Sequence, residues 1–270
     1  MDSHCHIDFW EAEERVSLLQ RAWEAGLRIL VTIAVSLPRL DVLRQLCRNW
    51  PQRIFHSVGI HPLKLPPSTD SLAKELEGAL ETARPLALGE TGLDFSKLSP
   101  RKHASEAERQ RTALAAHIAV AKAANLPLVL HCRDRSGETA AWKELNRQLD
   151  GQNFPPERAL LHCFSYSPEQ LHHWQGKGAW VSFAGNVTRS ASIADACRAS
   201  EEGQMLFETD APFLLPEPLR GEDPNRRNEP AFLALTLERA AQLRSSTAQA
   251  MRDLSLANGC RFFGLEVPRG

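Results

Sequence analysis

The chain has 270 residues, of which 43% are hydrophobic and 24% are charged, and its formal net charge is -1. This length and apolar content allow a large core and exclude an intrinsically disordered chain. The near-neutral charge excludes a highly basic protein that coats DNA. It leaves room for an enzyme that neutralises a few phosphates with metal ions and local Arg or Lys. We expect a single domain over residues 1–270.

The cysteine pattern favours a reducing compartment. The six cysteines form neither a CxxC pair nor a compact disulfide spacing. The first residues lack a charged segment followed by an apolar signal core, and no apolar run approaches the roughly 20 residues that span a bilayer. We therefore expect a cytoplasmic protein without membrane association, either a monomer or a small oligomer.

Short runs rich in Val, Ile and Leu alternate with longer amphipathic segments, which is typical of repeated βα units. Predicted strands end near His6, Ala34, His61, Glu90, His131, His162, Ala184 and Asp210. Predicted helices begin near Glu11, Pro38, Asp70, Glu106, Gly137, Pro168 and Ser190, and two more cover residues 229–242 and 247–262. These units predict an α/β fold, a (β/α)8 TIM barrel with an extra C-terminal helix. Residues 96–105 and 212–230 are predicted loops above the barrel.

Side chains that bind metals lie at or near the ends of several of these runs. They are His4, His6, Glu90, His131, His162 and Asp210. Barrel enzymes build their sites from the C-terminal ends of different strands, so this pattern indicates a hydrolytic metal site. His4 and His6 project from one face of a strand, with Cys5 on the other. By themselves, these two imidazoles would more often be hydrogen-bonded core histidines.

Four carboxylates have candidate roles in this site. Glu90 closes an apolar run, where an unpaired carboxylate is costly, and it can bridge two cations. Asp210 can bind metal, orient an attacking water and receive its proton. Glu208 shares the strand parity of Asp210 and is predicted to support a metal ligand or an Arg. Asp94 fits a structural cap as well as a direct participant.

Each of two predicted ligands, His131 and His162, is followed directly by a cysteine. Adjacent residues of a strand face opposite sides, so the two thiols are predicted to point away from the site. We therefore interpret Cys132 and Cys163 as buried packing residues rather than zinc ligands.

Seven segments, in order over nearly the full chain, resemble the TatD family of metal-dependent deoxyribonucleases within the amidohydrolase-like barrels. They are DSHCH at 2–6, GIHP at 59–62, GETGLD at 89–94, LPLVLHCRD at 126–134, HCFS at 162–165, ETDAP at 208–212 and RNEP at 227–230. Their joint occurrence is far more specific than any single segment.

The resemblance implies a centre of two divalent metal ions, which can be Mg, Mn or Zn. One ion would be bound by His4, His6, Glu90 and Asp210, and the other by Glu90, His131 and His162. Asp210 and Glu90 would be the catalytic residues. By the same resemblance, His61 and Arg133 would lie near the scissile phosphate and Asn228 at the substrate rim. The alternatives are a core histidine for His61, which its position at a strand end disfavours, and a solvated charge at the start of a helix for Arg133.

The implied reaction is hydrolysis of phosphodiester bonds at DNA ends, of the 3'-5' exonuclease type, with single-stranded DNA preferred. One alternative is an amidase, lactonase or phosphotriesterase acting on small molecules. The lack of a Lys at the Glu90 strand end disfavours it, because many such relatives bridge their metals through a modified Lys. Another alternative is a nucleic-acid-associated subunit of a larger complex with little activity of its own.

The chain departs from the family pattern at several positions, and the segment 95–98 after Asp94 lacks the common tyrosine. Tyr166 replaces a small residue and is expected to place a bulky ring at the rim, whereas Leu114 and His117 stand where the family often has Phe and Gln. These changes leave the ligands intact and put the predicted substrate pocket in question.

Overall fold

Eight parallel strands lie at the centre of the protein, whose computed structural model describes residues 1–98 and 103–268. They pair in chain order from the first to the eighth. They are β1 (Asp2–Cys5), β2 (Leu30–Thr32), β3 (Ile54–Val58), β4 (Ala87–Asp94), β5 (Leu128–Arg133), β6 (Ala159–Leu161), β7 (Trp180–Phe183) and β8 (Met205–Phe207). A backbone hydrogen bond of 2.9 Å from Asp210 N to His4 O joins the two ends of the sheet. The predicted TIM barrel is confirmed.

Helices connect the strands and cover the outside of the barrel. They are α1 (Ala12–Glu24), α2 (Leu40–Asn49), α3 (Leu72–Ala83), α4 (His103–Ala123), α5 (Ala140–Gly151), α6 (Pro168–Gly176), α7 (Ala191–Ala199), α8 (Leu219–Glu222), α9 (Leu233–Leu243) and α10 (Ala248–Phe263). The first seven begin within three residues of their predicted starts. None of the helices in the described part of the chain has the length and apolarity to cross a membrane.

Some boundaries differ from the prediction. The loop expected at 96–105 is shorter because α4 begins at His103, and residues 99–102 lie outside the described residues. The loop expected at 212–230 contains α8, which has four residues and is too short to show helical periodicity. Strand β4 continues past its expected end at Glu90 to Asp94.

The barrel interior is filled by a small apolar cluster that includes Val129, Leu160 and Leu206. Phe262 and Phe263 of α10 belong to the same cluster and close the barrel at the end opposite the site. Side chains alternate along a strand, so the side chains two positions after the three strand residues are expected to face the barrel axis above the apolar layer. They belong to His131 on β5, His162 just past the end of β6 and Glu208 just past the end of β8. The chemistry predicted for the strand ends therefore collects at the C-terminal end of the barrel.

A one-residue bulge in β4 directs Glu90 toward the barrel axis. Leu88 pairs with Leu128 and Thr91 pairs with Leu130, so β4 has one more residue than β5 between these two pairs. Beyond the extra residue, the side chains that face inward and outward are exchanged. Glu90 therefore faces the barrel axis, where Gly89 would do so in a regular strand.

Candidate metal centre

Four side chains meet at the C-terminal end of the barrel. His4 lies on β1, His6 follows it, Glu90 lies on β4 and Asp210 follows β8. His4 Nε2 is 3.3 Å from His6 Nε2, 3.5 Å from Glu90 Oε2 and 3.6 Å from Asp210 Oδ1. His6 Nε2 is 3.8 Å from Glu90 Oε2 and 3.4 Å from Asp210 Oδ1.

These separations fit a divalent cation. Bonds of about 2.0–2.2 Å in a tetrahedral arrangement place the ligand atoms roughly 3.3–3.6 Å from one another. The five distances, 3.3–3.8 Å, are close to that edge length. They are longer than most direct hydrogen bonds. Two imidazoles and two carboxylates also suit the donor preferences of Zn and Mn.

The other oxygen of Glu90 faces a second group of imidazoles. Glu90 Oε1 is 2.9 Å from His131 Nδ1, 2.8 Å from His162 Nε2 and 3.5 Å from His61 Nε2. His131 Nδ1 and His162 Nε2 are 3.4 Å apart. The Glu90 carboxylate therefore divides its two oxygens between two groups of imidazoles. On the Oε1 side, the separations of 2.8 and 2.9 Å are those of direct hydrogen bonds.

The two central carboxylates are held in the form that binds cations. Burial opposes ionisation of Glu90, but the surrounding imidazoles, His162 foremost, outweigh it and hold the pKa well below its ordinary value. Burial likewise opposes ionisation of Asp210, and the hydrogen bond with His6 and the charge of His4 lower its pKa. Both groups are therefore ready to bind metal without first losing a proton.

Residues behind the ligands orient them. Glu208 is fully buried, and its Oε1 lies 3.3 Å from His162 Nδ1. Ser182 Oγ donates a 2.5 Å hydrogen bond to Glu208 Oε2, which fixes the carboxylate. His6 Nδ1 lies 3.0 Å from the carbonyl oxygen of Ile33. Such contacts select the ring orientation of a metal-binding histidine.

The cluster lies at the base of an open chamber of about 640 Å³. His61 and Arg133, predicted to contact the phosphate, both line it. Burial lowers the pKa of His61 to about 4, so its imidazole is neutral at pH 7. Further lining residues are Phe9, Leu63, Lys64, Asp94, Lys97 and Phe213. Carboxylates and imidazoles therefore form the floor of the chamber, and cationic and apolar side chains form its walls.

A family model described as TatD related DNase matches residues 1–264, a span that includes all of these ligands. The chain belongs to the family of TatD-related deoxyribonucleases. A protein of Mycobacterium tuberculosis named as an uncharacterized metal-dependent hydrolase TatD is 31% identical over 98% of both chains. The protein named 3'-5' ssDNA/RNA exonuclease TatD of Erwinia tasmaniensis is 30% identical over 94% of this chain and 95% of its own.

Among solved structures, YjjV, a TatD homologue of Escherichia coli K12, covers 98% of both chains with a TM-score of 0.85 and 27% identity. The predicted family is confirmed, and the chain is a metal-dependent hydrolase that acts on ester bonds. The family assignment and the ligand groups together support the use of divalent metal.

In this TatD-related chain, Asn228 does not reach the chamber. Its side chain is buried, and Nδ2 donates hydrogen bonds of 2.8 Å to Thr209 O and 2.7 Å to Phe213 O. The geometry therefore gives no support to the predicted contact with substrate. Asn228 instead holds the turn that carries Asp210, a role that the sequence position alone could not distinguish from a rim contact.

Tyr166 does not narrow the chamber either, so the expected bulky ring at the rim is wrong. Its ring is buried and packs 5.0 Å from that of Trp142, centroid to centroid. Its hydroxyl donates a 2.9 Å hydrogen bond to Asp134 Oδ2 and lies 3.1 Å from Cys132 Sγ. The ring fills space between the barrel and α5, and Cys132 faces this layer as strand alternation predicted.

His117, the other departure with a polar side chain, supports the segment before His61. It is fully buried on α4, and its Nε2 accepts a 3.2 Å hydrogen bond from Ile60 N. Its Nδ1 lies 2.7 Å from Ala113 O. An amide side chain could accept the same bond, which explains in physical terms how His can stand in the place of Gln.

Asp94 acts both as a cap and at the metal centre. Its Oδ1 accepts hydrogen bonds from Ser96 Oγ at 2.6 Å and Lys97 N at 3.2 Å, whereas its Oδ2 lies 3.2 Å from His131 Nε2. Burial opposes ionisation, but His131 outweighs it and brings the pKa of Asp94 to about 2. The β4 bulge brings this carboxylate inward, which the alternation pattern did not indicate.

Cys163 departs from the simple alternation argument. Strand β6 ends at Leu161, and Cys163 has a left-handed backbone with φ of 47°. Its sulfur lies 3.6 Å from Arg133 Nη2 and 3.6 Å from Asn186 Nδ2. Burial raises the pKa of its thiol to about 11, so it is neutral at pH 7 and supports Arg133 by contact.

Proposed function

We propose that this chain is a deoxyribonuclease that removes nucleotides from the 3' end of single-stranded DNA with two divalent metal ions. The observation that carries the proposal is the Glu90 carboxylate, whose oxygens face two separate ligand groups below an open chamber. The name of the Erwinia tasmaniensis relative, 3'-5' ssDNA/RNA exonuclease TatD, supports the same chemistry.

His4, His6, Glu90 and Asp210 would hold one ion, and Glu90, His131 and His162 the other. When bound, such cations polarise phosphoryl oxygens and lower the pKa of a bound water.

The remaining steps belong to side chains of the chamber. Asp210 is ionised, and its side chain is 12% exposed, so it can orient the attacking water and accept its proton. Arg133 offers donors to a phosphate oxygen, and neutral His61 can donate one hydrogen bond from its ring. These groups position the phosphodiester above Glu90.

The chamber favours a substrate with accessible phosphates. Lys64 and Lys97 line its wall and form no ion pair with a carboxylate among the described residues. Pockets of roughly 300–1,000 Å³ hold ligands of drug size, so one end of a single strand is a better fit than a duplex. Because every proposed ligand comes from one chain, a monomer would suffice. The six free thiols support a cytoplasmic location.

The proposal can be tested by a time course on single-stranded oligonucleotides labelled at the 5' or the 3' end, with Mg, Mn or Zn. We expect metal-dependent shortening from the 3' end. Asp210→Asn should lower kcat by about 100-fold or more, because it removes the proton acceptor. Asp195→Asn, a similar change on the exposed face of α7, is the matched control and should stay within about twofold.

Failure to cleave DNA, with metal bound and the protein folded, would refute the proposal. Lactone, amide and phosphotriester substrates assayed in parallel would then reveal the small-molecule alternative. Inactivity on every substrate would favour the role of a subunit in a larger complex.

A further inference from the structure

One exposed aromatic side chain stands at the rim of the chamber. In the described part of the chain, the large apolar residues with strong exposure are Val16, Leu63, Phe213 and Val267. Phe213 is the aromatic member of this group, with 49% of its surface exposed, and it lines the chamber. It follows Asp210 by three residues. An exposed apolar residue is ordinary by itself, so its surroundings decide whether it has a function.

Phe213 is held in place from several sides. Its ring lies 5.9 Å from that of Phe9 at an angle of 90°, and 6.1 Å from the His6 ring at 70°. Its backbone N donates a 2.8 Å hydrogen bond to Asp210 O. Its carbonyl oxygen accepts the 2.7 Å bond from Asn228 Nδ2. The backbone of Phe213 is therefore held beside the metal centre, and its ring packs near Phe9 and His6 while about half of the residue stays exposed.

Two guanidinium groups lie beside the same rim. Arg39 Cζ is 5.2 Å from the centroid of Phe9, and Arg227 Nη2 donates a 2.8 Å hydrogen bond to Phe9 O. Their side chains are 45% and 46% exposed. Arg39 is paired with buried Asp8 through Nε, and Arg227 lies 3.9 Å from Glu14. Each guanidinium has five N–H donors, so both retain donors for a phosphate.

An aromatic surface flanked by cations matches a nucleotide with an unpaired base. Bases stack on aromatic side chains with little regard to sequence, while the cations contact the backbone. A base inside a duplex is already stacked and paired, so a single strand alone offers a free base face. We infer that Phe213 is a stacking platform for a base of single-stranded DNA next to the cleaved bond, with Arg39 and Arg227 beside the phosphates. This inference rests on the proposed nuclease function.

The test compares KM for a single-stranded oligonucleotide among variants of the full-length protein. Base stacking on an aromatic side chain contributes enough that Phe213→Ala should raise KM by about 5- to 150-fold. Phe213→Trp keeps an aromatic face and should stay within about threefold. Val16→Ala, which shortens an exposed apolar side chain of α1 that does not line the chamber, is the matched control and should change KM less than about twofold.

A second substrate separates stacking from a general effect on the site. The same oligonucleotide is made with abasic residues at its last three positions, so that the phosphates remain and the bases are lost. The KM ratio between Phe213→Ala and the unmodified protein should then fall to less than about twofold. A melting temperature equal to that of the unmodified protein would show that each variant is folded.

The outcomes distinguish this inference from the proposed function. A KM penalty that depends on the bases supports the stacking platform. An equal penalty on both substrates, or none on either, overturns the platform while the nuclease function stands. Absence of cleavage by the unmodified protein overturns the nuclease function and this inference with it.

Discussion

His131 lies between two carboxylates, one for each ring nitrogen. Nδ1 is 2.9 Å from Glu90 Oε1, and Nε2 is 3.2 Å from Asp94 Oδ2. A carboxylate behind a metal-binding imidazole fixes its tautomer and makes it a better ligand. We therefore propose that Asp94 positions one group of candidate ligands, although it also caps the turn that follows β4.

We expect Asp94→Asn to weaken metal binding by about 10- to 100-fold, since loss of such a supporting carboxylate commonly has this effect. Only the ion near His131 should bind more weakly, because the ligands around His4 do not contact Asp94. Isothermal titration of the metal-free protein with Mn would measure it. Unchanged affinity for every bound ion would remove Asp94 from this role.

His117 should make stability depend on pH. Burial lowers its pKa from 6.5 to about 4 in the folded protein. As the pH falls from 6.5 to 4, the unfolded chain binds a proton that the folded protein does not, so stability declines in this window. When the pH falls from 7 to 5, protonation of this residue in the unfolded chain should lower the free energy of unfolding by about 2 kcal/mol.

His117→Gln provides the comparison, because the amide can accept the Ile60 N–H bond without titrating. Urea unfolding at pH 7 and pH 5, in EDTA to exclude metal binding, should show the smaller decline in the variant. An equal decline in both proteins would contradict the assignment.

At the scale of elements, the turn after β8 carries both the proposed proton acceptor and the proposed stacking residue. Residues 209–213 include Asp210, whose φ of 53° is left-handed, and Phe213. Asn228 holds the turn through hydrogen bonds to Thr209 O and Phe213 O. A backbone in this conformation is costly for a residue other than Gly and persists where neighbouring contacts determine it.

Asn228→Ala removes both hydrogen bonds, of which the one to Thr209 O is buried and the one to Phe213 O is partly buried. We expect a loss of about 1–3 kcal/mol in stability and at least a tenfold fall in kcat/KM, because the turn loosens. Asn225→Ala alters an exposed residue of the same loop and is the matched control. Thermal unfolding and steady-state kinetics measure both effects, and normal activity of Asn228→Ala would contradict the assigned role.

The order of elements could be predicted because each apolar run is followed by an amphipathic helix. The meeting of the candidate ligands could be predicted because the C-terminal ends of parallel strands meet at one end of a barrel, which brings His131 and His162 together. The β4 bulge could not be predicted, since the short apolar run before Glu90 looks the same with or without an extra residue. The orientations of Tyr166 and Asn228 depend on partners far along the chain, and no local pattern reports such contacts.

At the scale of the whole molecule, the apolar core of the barrel and the candidate metal centre lie at opposite ends. The apolar cluster around Val129 and the end of α10 occupy one end, while charged groups occupy the other. The net charge of -1 gives no sign of this arrangement, in which Lys64, Lys97 and Arg133 line the chamber beside the carboxylates. The single domain expected over residues 1–270 remains a prediction, and one cooperative transition in the urea experiment would support it.

The central claim is that Glu90 bridges two metal ions, and the most direct measurement is the number of Mn ions bound per chain. Metal-free protein and Glu90→Gln would be dialysed against Mn and assayed for metal content and for cleavage of single-stranded DNA. We predict two ions per chain in the unmodified protein, and at most one in folded Glu90→Gln, with hydrolysis nearly abolished. A single ion at full activity, or two ions and full activity in Glu90→Gln, would contradict the claim.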